Sequence, residues 1–275
     1  MTENREYTMG RSEEETNRLI EQSQLYDRVT RRFLQEAGLG VGMKVLDIGS
    51  GAGDVALTAT EIVGPTGCVV GVDMNPDILD TARERATVQG YTHVEFVAGD
   101  ASEVELDSDF DLIVGRLVLL YVPQPVDLLR RLVTHLKPGG TVAFQEPALS
   151  FYRAMTSDDT PLLNNMVEWG LAVFEQTGAN ISMGFDLLGV FTEAGLPAPK
   201  LDYHAPMGGP EDWPGYEFLA ASFRSILPLI EKFGLATAEE VDVDTLANRL
   251  WKEVNKTKRP LMLPPHITAF AKIDS

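Results

Sequence analysis

The sequence predicts an α/β fold built on a doubly wound parallel sheet, and two observations support this fold class. Short apolar runs rich in strand-forming residues alternate with longer segments whose apolar residues recur at helical spacing. Turn residues divide these segments at suitable places: Asn75-Pro76 is typical of a helix start, and Lys137-Pro138-Gly139-Gly140 of a helix end. The predicted strands of the core are Lys44–Ile48, Cys68–Asp73, Val94–Ala98, Asp111–Gly115 and Thr141–Glu146.

Further helices surround this predicted core. Ser12, followed by acidic residues, predicts the start of an amphipathic helix that ends near Gly38. Two later segments show helical spacing beyond what a minimal sheet protein needs, so we interpret them as insertions. The predicted organisation is an N-terminal helical lid (1–38), a core (39–147), a helical insertion (148–182), a continuation of the core (183–206), a helical cap (207–262) and a final core strand (263–275).

Length, charge and composition narrow the classes of function. The 275 residues can form one large α/β domain, or a medium one that carries a small cap, and the net charge of −18 repels nucleic-acid phosphates. No apolar stretch approaches the ~18 residues of a membrane span, and the polar N-terminus does not resemble a secretory signal. We therefore expect a cytoplasmic protein without a membrane or nucleic-acid partner, and the sequence leaves open whether it forms a homo-oligomer. The single cysteine, Cys68, lies in an apolar run, so we expect it to be a small buried apolar residue. No motif predicts a metal site.

A glycine-rich turn follows the first predicted strand. Its sequence is Asp47-Ile48-Gly49-Ser50-Gly51-Ala52-Gly53-Asp54, and its glycines permit positive φ and a close approach of backbone amides to a ligand. A dinucleotide-binding fingerprint would require a third glycine at the position of Asp54. Asp47 would repel a pyrophosphate and suits an ammonium group better. The turn therefore favours a ligand that carries an amino acid.

Acidic residues also follow the second and third strands. Asp73 can accept hydrogen bonds from two vicinal ribose hydroxyls, although an aspartate here can also simply start the next helix. Asp100 can accept a hydrogen bond from an adenine amino group or serve as an ordinary turn residue. Because the carboxyl ends of parallel strands share one edge of the sheet, the three acids favour a common ligand site there.

Five ordered segments resemble the motifs of class I S-adenosylmethionine-dependent methyltransferases. They cover roughly residues 39–147 and are Val45-Leu46-Asp47-Ile48-Gly49-Ser50-Gly51-Ala52-Gly53, Gly71-Val72-Asp73, Gly99-Asp100-Ala101, Phe110-Asp111 and Leu136-Lys137-Pro138-Gly139-Gly140. The chain resembles in particular the quinone-biosynthesis type and the bacterial natural-product methyltransferases. The resemblance implies a Rossmann-like, seven-stranded sheet whose last strand, at residues 266–273, is antiparallel.

The resemblance also implies S-adenosyl-L-methionine as the cofactor. Asp47 would bind the methionine ammonium, and Asp73 the ribose hydroxyls. Met74 would pack against the adenine, or else belong to the core. The other residues that we assign to the cofactor are Gly49, Ser50, Gly51 and Gly53 for the methionine and ribose, Gly99, Asp100 and Ala101 for the adenine, and Arg116.

Arg116 lies where some relatives carry a different signature. Gly115-Arg116-Leu117 replaces the Asn/Asp-Pro-Pro-aromatic sequence that marks enzymes methylating the amino groups of nucleic-acid bases. This difference argues further against a nucleic-acid acceptor.

Methyl transfer from a sulfonium needs alignment above all, and some acceptors also gain from a general base. Glu146, at the end of the fifth strand, is the first candidate for a base or a substrate contact, and an ion pair with Arg116 is its structural alternative. His204 is the second candidate, with a plain surface histidine as its alternative. Tyr7, Tyr26 and Tyr121 are candidates for the acceptor pocket, or else belong to the core.

These observations predict methyl transfer to a small organic metabolite, with the acceptor atom (carbon, nitrogen or oxygen) left open. A nicotinamide-dependent oxidoreductase is the alternative within enzymes, which Asp47 and Asp54 disfavour. A catalytically idle, methyltransferase-like binding subunit is the alternative outside enzymes.

Overall fold

The computed structural model contains a seven-stranded sheet; it describes residues 13–274 and, of these, the side chains of residues 25–274. The strands of this sheet are β1 (Lys44–Ile48), β2 (Cys68–Asp73), β3 (Val94–Ala98), β4 (Phe110–Arg116), β5 (Leu136–Pro147), β6 (Lys200–His204) and β9 (His266–Lys272). Two short strands, β7 (Met207–Gly208) and β8 (Leu261–Met262), form a separate antiparallel pair.

The strand order is β3-β2-β1-β4-β5-β9-β6, and the first five strands pair in parallel. The last strand is antiparallel to β5: Ile273 N donates to Gly140 O (2.9 Å) at the start of β5, and Ala148 N donates to Pro265 O (2.8 Å) just past its end. The predicted fold class is therefore confirmed. Because the chain passes from β1 to one side and later returns at β4 on the other, β1 and β4 flank the switch point where such sheets bind ligands.

In the described part of the chain, one helix precedes the first strand, and the other helices lie in the connections between strands. They are α1 (Glu13–Glu36), α2 (Asp54–Val63), α3 (Pro76–Val88), α4 (Pro125–Val133), α5 (Pro161–Gln176), α6 (Met183–Glu193), α7 (Gly215–Lys232), α8 (Ala238–Val241) and α9 (Val243–Thr257), with 3₁₀ turns at Leu119–Tyr121 and Leu149–Met155. Asn75 caps α3 by accepting from Asp77 N, as the Asn75-Pro76 pair predicts. None of the helices between residues 13 and 274 combines the length and apolarity that crossing a membrane requires.

The start of β5 differs from the prediction. Lys137-Pro138-Gly139-Gly140 was expected to end a helix, with the strand beginning at Thr141, but β5 already begins at Leu136. The pairing with β4 shifts register between Phe110 and Leu112, and the extra residues on β5 form an irregularity there. A bulge of this kind accommodates proline and glycine that a regular ladder would not.

The chain divides into two compact units. The sheet unit contains Tyr26–Glu146, Met183–His204 and the residues from Ile267 onward. Its apolar core includes Phe33 and Leu34 of α1 and Val45 of β1, packed with residues of α2 and α3.

The helical unit contains Pro147–Ser182 and Ala205–His266, together with the first half of α1. Within it, α5, α7 and α9 pack on one another. The predicted role of residues 1–38 and 207–262 as a lid and cap stays a prediction.

Candidate active site

The turn between β1 and α2 requires glycine at three positions. Gly49, Gly51 and Gly53 have φ values of +66°, +50° and +87°, which side-chain-bearing residues rarely adopt. A Cβ at Gly49 would lie 2.8 Å from Cγ2 of Val118. At Gly51, apart from the glycine and its two chain neighbours, no atom of the described residues lies within 4 Å of such a Cβ. The backbone at Gly51 is therefore open to close approach by a ligand.

Asp47 and Ser50 are buried at this turn without hydrogen-bond partners. Asp47 is 1% exposed and Ser50 7% exposed, and neither carboxylate oxygen of Asp47 nor Oγ of Ser50 has a partner among the described residues. Burial raises the pKa of Asp47 to about 8, although the Arg116 charge and the nearby Ala56 amide oppose this shift. A buried, unpaired carboxylate is costly, so Asp47 is suited to receive a cationic group.

Asp54, the first residue of α2, is shared by two arginines. Its Oδ2 lies 3.0 Å from Nη2 of Arg116 and its Oδ1 lies 2.7 Å from Nη1 of Arg85. The same Nη1 donates to Ala52 O (2.6 Å), so Arg85 also holds the backbone of the glycine turn. Arg116 donates in addition to Oγ1 of Thr30 in α1 (3.1 Å).

This arrangement corrects the structural alternative considered for Glu146, because Arg116 pairs with Asp54 instead. The assignment of Arg116 to the cofactor stays a prediction, and its observed bonds are to the protein. Sequence reasoning missed Arg85 altogether, since nothing in its local pattern indicates a partner on the glycine turn.

The ends of β2 and β3 meet this turn. Asp73 accepts from Gly51 N through Oδ2 and from Asn75 N through Oδ1, both at 2.9 Å. Gly99 N donates to Asp73 O (2.9 Å), which brings the third strand end to the same place. Met74 follows Asp73 and is 58% exposed, so its side chain is available to a planar ligand.

Asp100 forms a local turn at the end of β3. Its Oδ1 accepts from the backbone amide and the hydroxyl of Ser102, at 2.8 and 2.7 Å. Ala101 lies within this turn, and Ala101 O accepts from Nε of Arg131 (3.3 Å). The adenine assignment of Asp100 and Ala101 stays a prediction, and the turn geometry fits the simpler alternative as well.

Glu146 is fully buried within the sheet unit and bound by backbone amides. Its Oε1 accepts from Val118 N (3.0 Å) and Leu119 N (2.9 Å), and its Oε2 from Leu120 N (3.3 Å). Burial raises the pKa of Glu146 to about 7, while these three amides lower it. The catalytic role predicted for Glu146 stays untested, and its contacts favour a structural role.

The other catalytic and pocket candidates are a histidine and three tyrosines, and none of those that the structure describes belongs to the glycine turn. His204 lies on β6, with Nε2 3.3 Å from Oδ2 of Asp202; four strand spacings of ~4.8 Å, roughly 19 Å, separate β6 from β1. Tyr26 is 1% exposed and belongs to the core. Tyr121 is half-buried in the 3₁₀ turn that Glu146 holds, and Tyr7 lies outside the described residues.

Comparison with known proteins identifies the family. A family model described as a methyltransferase domain matches residues 39–195. The chain belongs to this methyltransferase family, and it is an S-adenosylmethionine-dependent methyltransferase. The resemblance stated from the sequence motifs is therefore confirmed.

Two curated relatives and one solved structure illustrate the similarity. Aklanonic acid methyltransferase DauC of Streptomyces is 31% identical over 54% of this chain and 72% of its own. The ubiquinone/menaquinone biosynthesis C-methyltransferase UbiE of Pseudomonas fluorescens is 30% identical over 66% of this chain and 75% of its own. The crystal structure of BH2331 from Bacillus halodurans has a TM-score of 0.60 at 20% identity, covering 90% of this chain and 99% of that one, and shares the fold.

The residues at the glycine turn fit the cofactor of this family. S-adenosylmethionine carries an ammonium, which suits the unpaired Asp47 carboxylate. The open backbone at Gly51 and the Asp73 carboxylate beside it suit a ribose. The glycine turn therefore offers groups that are complementary to the cofactor. The Asp47 side chain has no hydrogen bond to the described residues to give up when a ligand binds.

Proposed function

We propose that this protein transfers a methyl group from S-adenosylmethionine to a small organic acceptor of partly apolar, aromatic or quinone-like character. The observation that carries the cofactor half of the proposal is Asp47, a buried carboxylate without a protein partner beside a glycine turn. The names of DauC and UbiE, which refer to aklanonic acid and to quinone biosynthesis, support the acceptor class. The net charge of −18 disfavours nucleic acid as the alternative acceptor.

Binding and orientation are the tasks of the glycine-turn residues. S-adenosylmethionine supplies a methyl group on a positively charged sulfur and leaves as a neutral thioether. Asp47 would hold the ammonium, and Asp73, whose carboxylate lies at the glycine turn beside Gly51, would accept the ribose hydroxyls. Met74 would pack on the adenine. Fixing the donor in this way supplies orientation, which is worth ~7–11 kcal/mol in favourable cases.

We assign general acid–base catalysis to neither Glu146 nor His204, the two residues predicted for it. The Glu146 carboxylate already accepts three backbone amides, and His204 lies on the edge strand, far from β1. We therefore propose that alignment of donor and acceptor is the main contribution of the chain. Acceptors that lose a proton only after methylation, such as electron-rich ring carbons, fit this arrangement best.

The test is transfer of labelled methyl from S-adenosylmethionine to a panel of acceptors. The panel contains quinols, aromatic carboxylic acids, a transfer RNA and a protein mixture, and Asp47→Asn is the matched variant. We expect label in one or more of the small aromatic compounds with the wild-type chain and a large reduction with the variant. Label found exclusively in RNA or protein would overturn the proposal.

A binding measurement separates the remaining alternatives. Thermal stabilisation by S-adenosylhomocysteine and not by NADH is expected, and the reverse would support an oxidoreductase. Stabilisation by S-adenosylhomocysteine without turnover of any acceptor class would favour an idle binding subunit over the proposed enzyme.

A further inference from the structure

The turn that follows β4 is held by the end of β5 through four consecutive backbone amides. Leu117 N donates to Gln145 O (3.0 Å). Val118, Leu119 and Leu120 then donate to the Glu146 carboxylate, at 3.0, 2.9 and 3.3 Å. Residues 145 and 146 thus satisfy every amide from 117 to 120, and both oxygens of Glu146 are used.

Backbone geometry indicates that this turn needs such a support. Leu117 has φ +58°, in the left-handed region that a leucine adopts only at a cost. An unfavourable conformation of this kind persists where the surrounding contacts determine it. Here, the four hydrogen bonds that backbone amides 117–120 donate to Gln145 and Glu146 are contacts of this kind.

Val118 connects the turn to the cofactor site. Its Cγ2 lies 2.8 Å from the position of a Cβ at Gly49, and its Cγ1 lies 2.9 Å from that of a Cβ at Gly115. Val118 therefore packs on the backbone of both strand ends, β1 and β4, that flank the switch point. Any movement of the 117–121 turn would reach Gly49 directly.

We infer that Glu146 is a positioning residue: it fixes the Leu117–Tyr121 turn against the glycine turn, and through Val118 it sets the geometry of the cofactor site. This role rests on the proposed function only for its effect on methyl transfer. Its effect on the backbone and on cofactor affinity is independent of any acceptor.

A positioning residue and a general base give different results on substitution to Gln. In Glu146→Gln one oxygen still accepts from Val118 and Leu119, but an NH₂ group faces Leu120 N. We expect faster hydrogen exchange at amides 118–120, a 3- to 10-fold rise in the Kd for S-adenosylhomocysteine and a comparable fall in single-turnover methyl transfer, on the order of one lost hydrogen bond. A general base would instead lose ~10²–10⁴-fold in rate with affinity unchanged.

Two further variants locate the effect. Glu95→Gln makes the same chemical change at an exposed position of β3 and should alter none of these quantities. Val118→Ala should also raise the Kd, and adding Glu146→Gln to it should raise the Kd by less than in the wild-type background, because both act through the same contact. Fully additive effects would contradict the route through Val118.

A change of pH supplies a second test in the wild-type chain, with Glu146→Gln as its control. Burial raises the pKa of Glu146 to about 7, although the three backbone amides lower it. Protonation would replace an acceptor oxygen with a hydroxyl. After correction for intrinsic rates, amides 118–120 should exchange faster at pH 6 than at pH 8 in the wild type, with no such difference in Glu146→Gln. Unchanged exchange in both experiments would overturn the positioning role, whereas changed exchange without methyl transfer would count against the proposed function alone.

Discussion

At the scale of single residues, Asp47 combines deep burial with an absence of partners among the described residues. Burial favours its neutral form, so the ligand-free protein holds a proton at a site where the cofactor's ammonium would favour the anion. The charged groups acting on Asp47 are Arg116, which lowers its pKa, and Asp73 and Asp54, which raise it. Because Arg116 is also paired with Asp54, a bound cation would be needed to favour the anionic form of Asp47.

This charge state predicts a dependence of stability on pH. The pKa of Asp47 rises from 3.8 to about 8 on folding, so its contribution is fully present below about pH 4 and is lost as the pH rises toward 8. Each unit of pKa difference corresponds to about 1.4 kcal/mol. We expect the ligand-free wild type to lose more unfolding free energy than Asp47→Asn between pH 5 and pH 8, as measured by denaturant titration. Parallel curves for the two proteins would contradict the prediction.

Asp73 links the glycine turn to the predicted ribose contact. Asp73→Ala removes the acceptor for Gly51 N and Asn75 N as well as any bond to the ligand. Since charge-assisted hydrogen bonds are worth ~1.5–3 kcal/mol each, we expect S-adenosylhomocysteine affinity to fall by about 10- to 100-fold in calorimetry. Asp73→Asn keeps one acceptor oxygen, so its affinity for S-adenosylhomocysteine should lie between those of the wild type and Asp73→Ala. A folded alanine variant with wild-type affinity would remove Asp73 from the site.

At the scale of elements, α5 depends on a side chain from another helix for its N-terminus. Thr160 precedes α5 without making a side-chain cap, and the amides of Leu162 and Leu163 donate instead to Glu253 of α9, at 2.8 and 2.9 Å. A carboxylate at a helix N-terminus also interacts favourably with the helix dipole. Glu253 therefore joins two helices of the helical unit through hydrogen bonds as well as packing.

Removal of Glu253 should accordingly destabilise the protein. We expect Glu253→Ala to lower the unfolding free energy by ~1–3 kcal/mol, because two half-buried amides lose their acceptor. Lys252→Ala, on the same helix and exposed, is the control and should change it by less than ~0.5 kcal/mol. Equal effects of the two substitutions in denaturant unfolding would show that the contact contributes nothing.

At the scale of the whole molecule, the alternation of buried strands and helices made the sheet predictable from the sequence. The bounds of β1, β2 and β3 coincide with the predicted strands, because apolar runs and turn residues mark both ends of each. β7 and β8 could not be found this way, since two residues are too few to show a period.

The cofactor site was predictable only where the residue types themselves carry the chemistry. Asp47 and the glycines are recognisable because the turn needs positive φ and the ligand needs a carboxylate. The amides that surround Glu146 leave no signal in the sequence, because every residue type except proline would supply the same N–H groups at 118–120. Arg85 escaped for a related reason: its bond to Ala52 O joins segments 33 residues apart.

The position of β9 has a consequence for the order of assembly during synthesis. β9 lies between β5 and β6 but follows both along the chain. A nascent chain emerging from the ribosome can therefore complete β1 to β5, with the glycine turn and the strand ends that surround it, while the place beside β5 stays empty. We expect the ability to bind the cofactor to arise before β9 completes the sheet. The ligand could then stabilise the folded part of the nascent chain.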